Sequence, residues 1–324
     1  MIFPARYLLV ALLLVGVITA QDHRPVSTYS IVAYDDETGE LGVAVQSHWF
    51  SVGALVPWAK SGVGAVATQS FVRVEYGPEG LELMSNGHSA KESLAFLVSQ
   101  DEGRDVRQVA MVDVNGSVAI HTGKNCIAEA GHYQGENYAV QANIMENPTV
   151  WGAMANAFET TTGDLADRMM AALEAAQDEG GDLRGRQSAA LLVVKGTPEE
   201  NPWDEKLFDL RIEDHPEPLK ELKRLIRINR AYIHANNGDV YLEEGMTKEA
   251  LDEYSKAAHY YPENPELPFW TAVTLAGSGK LDTALPIFAD VFRKDPKLRI
   301  LVKRLIPAGI LPDDNDLIDK ILEQ

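Results

Sequence analysis

The sequence predicts an α+β protein: a four-layer αββα sandwich followed by an all-α helical repeat region. Three observations carry that reading. Short runs of Val, Ile, Ala and aromatic residues, bounded by turn residues, recur up to about residue 215. Several of them, such as Val43-Ala44-Val45 and Ala189-Ala190-Leu191-Leu192-Val193-Val194, are apolar on both faces and demand cover on both sides. After Pro216-Glu217-Pro218 the strand pattern stops and a helical repeat begins. Two stacked sheets with helices outside them fit the first two observations, although the pattern alone also admits another α+β layering.

Taken in order, residues 1–20 read as a signal peptide. Arg6 precedes an apolar run from Tyr7 to Ile18 that ends in Thr19-Ala20. The run is too short for a comfortable membrane span; a retained anchor is the alternative. No cysteine lies near the expected cut, which argues against a lipid anchor. The expected location is therefore secreted or periplasmic, with a mature chain that starts at Gln21.

The first strands are expected at 29–34 and 41–46, joined by the polar loop Asp35-Asp36-Glu37-Thr38-Gly39, and the next at 62–69. Residues 78–100 predict two short helices broken at Asn86-Gly87. Strands at 109–114 and 118–121 flank Asn115-Gly116, the strongest short hairpin signal. Further strands are expected at 138–144, 189–194 and 207–212, and a helical region at 148–178, clearest from Leu165 onward.

In the last third, Gly245 recurs as Gly279, Ala250 as Ala284, Leu251 as Leu285, Tyr254 as Phe288 and Pro262 as Pro296, always 34 residues on. That is the tetratricopeptide period, and Gly238 and Tyr241 stand where its G-x₂-Y element falls. Small alanines let paired helices approach, and the prolines end the second helix. A helix at 219–234 and the tail 297–322 would cap the two clear repeats. The expected domains are thus 1–20, 27–215 and 219–324.

Composition narrows the function. The chain has 324 residues and a net charge of −19, so nucleic acid and anionic lipid are poor partners. Its one cysteine, Cys126, allows no intrachain disulfide; it reads as a small buried residue more readily than as a reactive thiol. No H-E-x-x-H, paired-cysteine, G-x-S-x-G or P-loop pattern occurs, and His48, His88, His121 and His132 are scattered. No metal and no cofactor are expected. What remains is a hydroxyl on the first strand: Thr28 is either a strand-edge residue or a nucleophile that becomes a new N-terminus.

Thr28-Tyr-Ser-Ile-Val-Ala, Gly42-Val-Ala-Val-Gln-Ser-His-Trp-Phe, Val52-Gly-Ala-Leu-Val-Pro-Trp-Ala, Gly62-Val-Gly-Ala-Val-Ala-Thr-Gln and Asp182-Leu-Arg-Gly-Arg-Gln-Ser carry a family resemblance. Over residues 27–212 the chain resembles the bacterial family called domain of unknown function 1028, placed in the N-terminal-nucleophile (Ntn) hydrolase superfamily. The resemblance implies the αββα fold. It also implies a mechanism in which an N-terminal Thr, Ser or Cys attacks an amide and its own α-amino group takes the proton. Thr28 fits by position, with Ser27 as competitor, but a second cut before it is required.

A supporting set follows residue by residue, with only the lysine offset drawn from the resemblance. Lys60 lies 32 residues after Thr28, the lysine offset of proteasome-like relatives, where the ammonium lowers the nucleophile's pKa; the alternative is a solvated turn lysine. Ser47 and His48 end the second strand and would hydrogen-bond Thr28 or its amine, unless His48 is a packed histidine. Asn143 is a candidate oxyanion donor or a structural amide. Arg186 and Gln187 would hold a substrate carboxylate, or Arg186 would pair with Asp182. Trp49, Phe50, Trp58 and Phe71 would line a pocket or fill core. The expected function is a secreted Ntn-type hydrolase of an amide, such as a cell-wall peptide or a small ureido or amide metabolite, with helical repeats that hold a protein partner or peptide. The alternative is a non-catalytic binding or scaffold protein on the same fold.

Overall fold

The computed structural model describes residues 28–324. The leader expected at 1–20 and Ser27 lie outside the described residues. The first half consists of β1 (Thr28–Tyr34), β2 (Leu41–Ser47), β3 (Pro57–Lys60), β4 (Gly64–Ser70), α1 (Tyr76–Ser85), α2 (Ala90–Gln100), β5 (Arg107–Asp113), β6 (Val118–Thr122), β7 (Gly131–Gln134), β8 (Tyr138–Asn143), α3 (Val150–Thr160), α4 (Leu165–Asp178), β9 (Ser188–Val194) and β10 (Lys206–Ile212). One sheet has the order β10-β9-β2-β1-β8-β7 and the other β3-β4-β5-β6. Every strand pairing in both is antiparallel.

Strand alternation sorts the side chains into three cores. Val32, Val43, Val45, Ala65, Ala67, Ala110 and Val112 meet between the sheets. Their chain neighbours Ile31, Ala33 and Ala44 turn the other way and pack under α3 and α4 with Phe158, Met169 and Leu173. Val66, Val109 and Met111 turn outward from the smaller sheet onto α1 and α2 with Tyr76 and Leu94. This is the αββα sandwich expected from two-sided apolar strands. The strands that composition did not reveal, β3 and β7, are short edge strands; β3 begins with Pro57, and β7 reads Gly-His-Tyr-Gln with no apolar alternation.

The helices start where local chemistry directs. Ser89 caps α2 by accepting from Glu92 N–H, while the Glu92 carboxylate accepts from Ser89 N–H, a reciprocal capping box. Asp164 caps α4 through Asp167 N–H.

The second half is α5 (Pro218–Glu243), α6 (Thr247–Tyr260), α7 (Glu266–Gly277), α8 (Leu281–Lys294), α9 (Leu298–Leu305) and α10 (Asn315–Leu322). Both ends of α8 lie 34 residues after the ends of α6, as the repeat demands. Gly245 and Gly279, each at φ 78°, make the left-handed turn inside each pair. The expected helix 219–234 and the expected G-x₂-Y helix are one continuous 26-residue α5. No proline interrupts it, and Gly238 lies inside it so that Tyr254 can pack on its backbone. The first half of α5 belongs to the sandwich: Leu219, Leu222 and Ile226 are buried with Phe208 and Ile212 under the larger sheet. No helix among the described residues is long and apolar enough to cross a membrane.

Candidate active site

Register places four polar residues in one row across the larger sheet. Thr28 on β1 stands opposite Asn143 on β8 and Ser47 on β2, and Ser47 stands opposite Ser188 on β9. Directly opposed residues share a face. That face looks into the space between the sheets, because Val32, Val45 and Ala190 follow the same parity into the inter-sheet core. All four residues are wholly buried. Thr28 Oγ1 donates to Ser47 Oγ at 3.3 Å. Ser188 Oγ donates to the carbonyl of Trp49 and accepts from Val52 N–H at 3.1 Å, which fixes the turn after β2.

The facing sheet supplies a lattice of amides. Gln69 Nε2 donates to the Thr28 carbonyl at 3.1 Å and to Gln108 Oε1 at 2.7 Å. Gln108 Oε1 also accepts from Asn143 Nδ2 at 3.0 Å. Gln108 Nε2 donates to Ala142 O at 2.9 Å, Thr122 Oγ1 at 3.0 Å and Gly131 O at 3.1 Å. One step deeper, Ser30 Oγ donates to Gln69 Oε1 at 2.6 Å and accepts from Gln141 Nε2 at 3.2 Å. So one end of the inter-sheet space is polar and the other apolar. Buried amides with partners are tolerated; each one left unpaired costs about 1–3 kcal/mol.

The backbone is strained at the same end. Ile144, just after Asn143, has φ 55°, and Ser70, just after Gln69, has φ 69°. A left-handed β-branched residue is uncommon, and such conformations cost on the order of 1–3 kcal/mol.

On the opposite face of β1, Tyr29 is fully buried, and its hydroxyl donates to Gln46 Oε1 and lies 3.2 Å from Gln177 Oε1. Burial pushes the Tyr29 phenol well above its usual range; the Arg186 guanidinium opposes this more weakly, so the phenol stays protonated. Gln177 lines a cleft of about 600 Å³ with Glu174, Asp178, Arg186, Glu217 and Lys220.

The residues singled out from the sequence fall into two groups. Thr28, Ser47 and Asn143 come together. Lys60 does not join them. It ends edge strand β3, is exposed, pairs with Gly64, and donates to Ser85 Oγ at 3.0 Å. The β4 residue that touches Thr28 is Gln69, five positions beyond Gly64, or roughly 17 Å along a strand. An offset counted along the chain does not carry over, because β3 here lies on the far edge of the smaller sheet.

His48 N–H donates to Asp182 Oδ2 at 2.9 Å, and its ring lies beside Gly185. Its buried Nδ1 has no hydrogen-bond partner among the described residues. Arg186 pairs with Glu217 at 2.8 Å in the cleft on the helix side; Arg184 is the residue that pairs with Asp182, at 3.1 Å. The tight turn from Asp182 to Gly185 folds Arg184 back onto its own aspartate. Gln187 is half-buried, with its side chain on Asp214 at 3.1 Å, while its main-chain N–H donates to Ser47 O at 3.1 Å. The aromatics do not form one pocket: Trp49 packs on the inter-sheet core, Trp58 lies under α1, and Phe50 is exposed. Cys126 is partly buried, donates to Arg107 O, and burial pushes its thiol up.

Sequence reading missed Gln69, Gln108, Ser30, Gln141 and Ser188, and offered Asp182 to Arg186 rather than to Arg184. A signal existed: Gln46, Gln69, Gln108 and Gln141 each sit next to apolar residues in a mostly apolar strand. Among the described residues no group of histidine, cysteine and carboxylates is arranged to hold a metal ion.

The two antiparallel sheets between helix layers, with Thr28 opening β1 near the middle of the larger one, define a four-layer αββα sandwich. The chain belongs to the family of unknown function DUF1028, whose family model matches residues 28–222. A crystal structure of a DUF1028 protein from Silicibacter pomeroyi is similar at 31% identity and a TM-score of 0.55, over 61% of this chain and 87% of that one. Anbu, an ancestral beta-subunit from Yersinia bercovieri, matches at 14% identity and a TM-score of 0.32, over 60% of this chain and 91% of that one. No curated protein matches the chain.

Proposed function

We propose that this chain is an exported Ntn-type hydrolase that cleaves an amide bond, with Thr28 as nucleophile once the residues before it are removed. The observation that carries the reading is the placement of Thr28. It opens β1 with its side chain in the polar end of the inter-sheet space, its Oγ1 on Ser47 and its carbonyl on Gln69. With the preceding bond cut, the Thr28 α-amine, of pKa near ~8, serves as base on the same residue. Oγ1 attacks the substrate carbonyl carbon and its proton passes to the amine. The tetrahedral intermediate collapses, the proton goes to the leaving amine, and an ester on Thr28 remains. Water, activated by the same amine, then frees the acid and restores Oγ1–H. Ser47 and Asn143, on either side of Thr28, are the polar groups assigned to steady the reacting oxygen.

The leader at 1–20 is assigned to export, to a secreted or periplasmic location. The helix pairs of 34-residue period are assigned as a tetratricopeptide-like surface for a protein or peptide. A non-catalytic scaffold is the second reading, favoured by the complete burial of Thr28. One experiment separates the two: intact mass and N-terminal sequencing of protein exported with its own leader. A terminus at Thr28, together with amide hydrolysis lost in Thr28→Ala, supports the enzyme. A stable terminus at Gln21 removes the free amine and leaves the scaffold.

A further inference from the structure

Two surface features of opposite character lie on different parts of the chain. Trp203 is the most exposed large apolar side chain among the described residues, at 74%. It stands on the short helical turn Pro202–Glu205 between β9 and β10. Glu199, Glu200, Asp204 and Glu205 surround it in sequence, with no basic residue between them. Only Glu199 of these four acids has an ion-pair partner among the described residues, Lys195 at 2.7 Å.

At the other end of the chain, no acidic residue occurs between Asp295 and Asp313, while Lys297, Arg299, Lys303 and Arg304 all fall there. None of the four is in an ion pair within 4.0 Å among the described residues. The contrast with α5 is sharp. There Lys220, Lys223, Arg224, Arg227 and Arg230 pair with Glu217, Glu174, Glu221, Glu263 and Asp164. In a chain with 48 acidic and 29 basic side chains, four unpaired cations on and beside one eight-residue helix are a concentrated exception. Arg299, Lys303 and Arg304 surround a groove of about 440 Å³ with Ile300, which is 55% exposed, and Leu322.

We propose that this groove receives the Trp203 loop of a second copy of the chain. The loop offers an aromatic anchor inside a ring of carboxylates. The groove offers Ile300 and Leu322 for the indole, the Arg304 guanidinium to stack on it while Arg299 lies over the Phe292 ring at 4.9 Å, and cations for the carboxylates. An exposed tryptophan meeting arginine is the composition of an interface hot spot. The contact joins different surfaces of the two copies, so it is made twice in a two-fold dimer or once per junction in a head-to-tail ring or chain. It does not depend on Thr28 being catalytic.

Sedimentation velocity of the full exported chain over a range of concentrations tests this. The expected result is concentration-dependent association that weakens as salt is raised. Trp203→Ala and the double variant Lys303→Glu/Arg304→Glu should each weaken it roughly tenfold or more. Because both sites are exposed, the far-UV spectrum should not change. Mixing the double variant with Glu200→Lys/Glu205→Lys should recover association that neither shows alone. A wild type that stays monomeric at every concentration overturns the proposal, as does association untouched by these variants. Should the monomer instead bind an acidic peptide unrelated to residues 199–205, the groove belongs to another protein and the second copy is ruled out.

Discussion

Gln69 Nε2 crosses the space between the two sheets and donates to the main-chain carbonyl of Thr28 at 3.1 Å. The start of β1 is therefore held from the opposite sheet as well as by its own neighbours. Gln69 is in turn held by Gln108, which also holds Asn143. The geometry around Thr28 rests on amides that never face solvent.

Gln108→Leu should be strongly destabilising. It strips an acceptor from Gln69 and Asn143 and a donor from Ala142 O, Gly131 O and Thr122 Oγ1. At about 1–3 kcal/mol per buried group left unpaired, the loss should be on the order of 3 kcal/mol or more. Urea unfolding followed by far-UV circular dichroism reads it; a loss below about 1 kcal/mol would mean the lattice is not under load.

If Thr28 is the nucleophile, Thr28→Ala should lower amide hydrolysis by roughly a thousandfold or more, while Thr28→Ser keeps a hydroxyl and part of the rate. Lys60→Met should leave both hydrolysis and processing within about twofold of wild type, given its distance along β4. Equal losses in the alanine and methionine variants would overturn the assignment of roles.

The rate should rise with pH through the pKa of the Thr28 amine, near ~8, because only the neutral amine takes the proton. A rate that rises with pH through the carboxylate range and is flat above it would point to a carboxylate base.

Burial opposes ionisation of Asp101, but hydrogen bonds from Arg107, Gly103 N–H and the Tyr76 hydroxyl outweigh it and hold its carboxyl below the usual range. A pKa lowered in the folded state stabilises the protein above the unfolded value of about 3.9, and that stability is lost as pH falls through the folded value. Asp101→Asn should therefore cost most at neutral pH, with the difference from wild type shrinking as pH drops below about 4. Thermal melts of both proteins across that range measure it. A difference that stays constant with pH would remove the charge from the explanation.

Gly238→Ala should destabilise the helical region even though alanine is the better helix former by about 1 kcal/mol. A Cβ there would stand 2.5 Å from Tyr254 Cε1, in a buried ring whose hydroxyl is tied to Asp239 Oδ1 at 2.6 Å. Overpacking of this kind costs about 1–3 kcal/mol. A raised melting temperature would show that α5 and α6 separate at little cost.

The sequence by itself determined what depends on near neighbours. Short apolar runs bounded by turn residues, with Asn115-Gly116, marked the strands and hairpin, and the recurrence of Gly245, Ala250 and Tyr254 marked the helix pairs. The first-strand position of Thr28 was equally plain. Tertiary structure decided what depends on register between distant segments. It set Asn143, Thr28, Ser47 and Ser188 in one row, brought Gln69 and Gln108 against it, and put Lys60 at the far edge of the other sheet. It gave Asp182 to Arg184 and sent Arg186 to Glu217. The physical reason is that periodicity records which way a side chain points, whereas a site needs to know which strand lies opposite. In an antiparallel sheet a shift of one residue turns every side chain to the other face. That choice is made by packing two sheets and two helix layers together, and no local run of residues carries it.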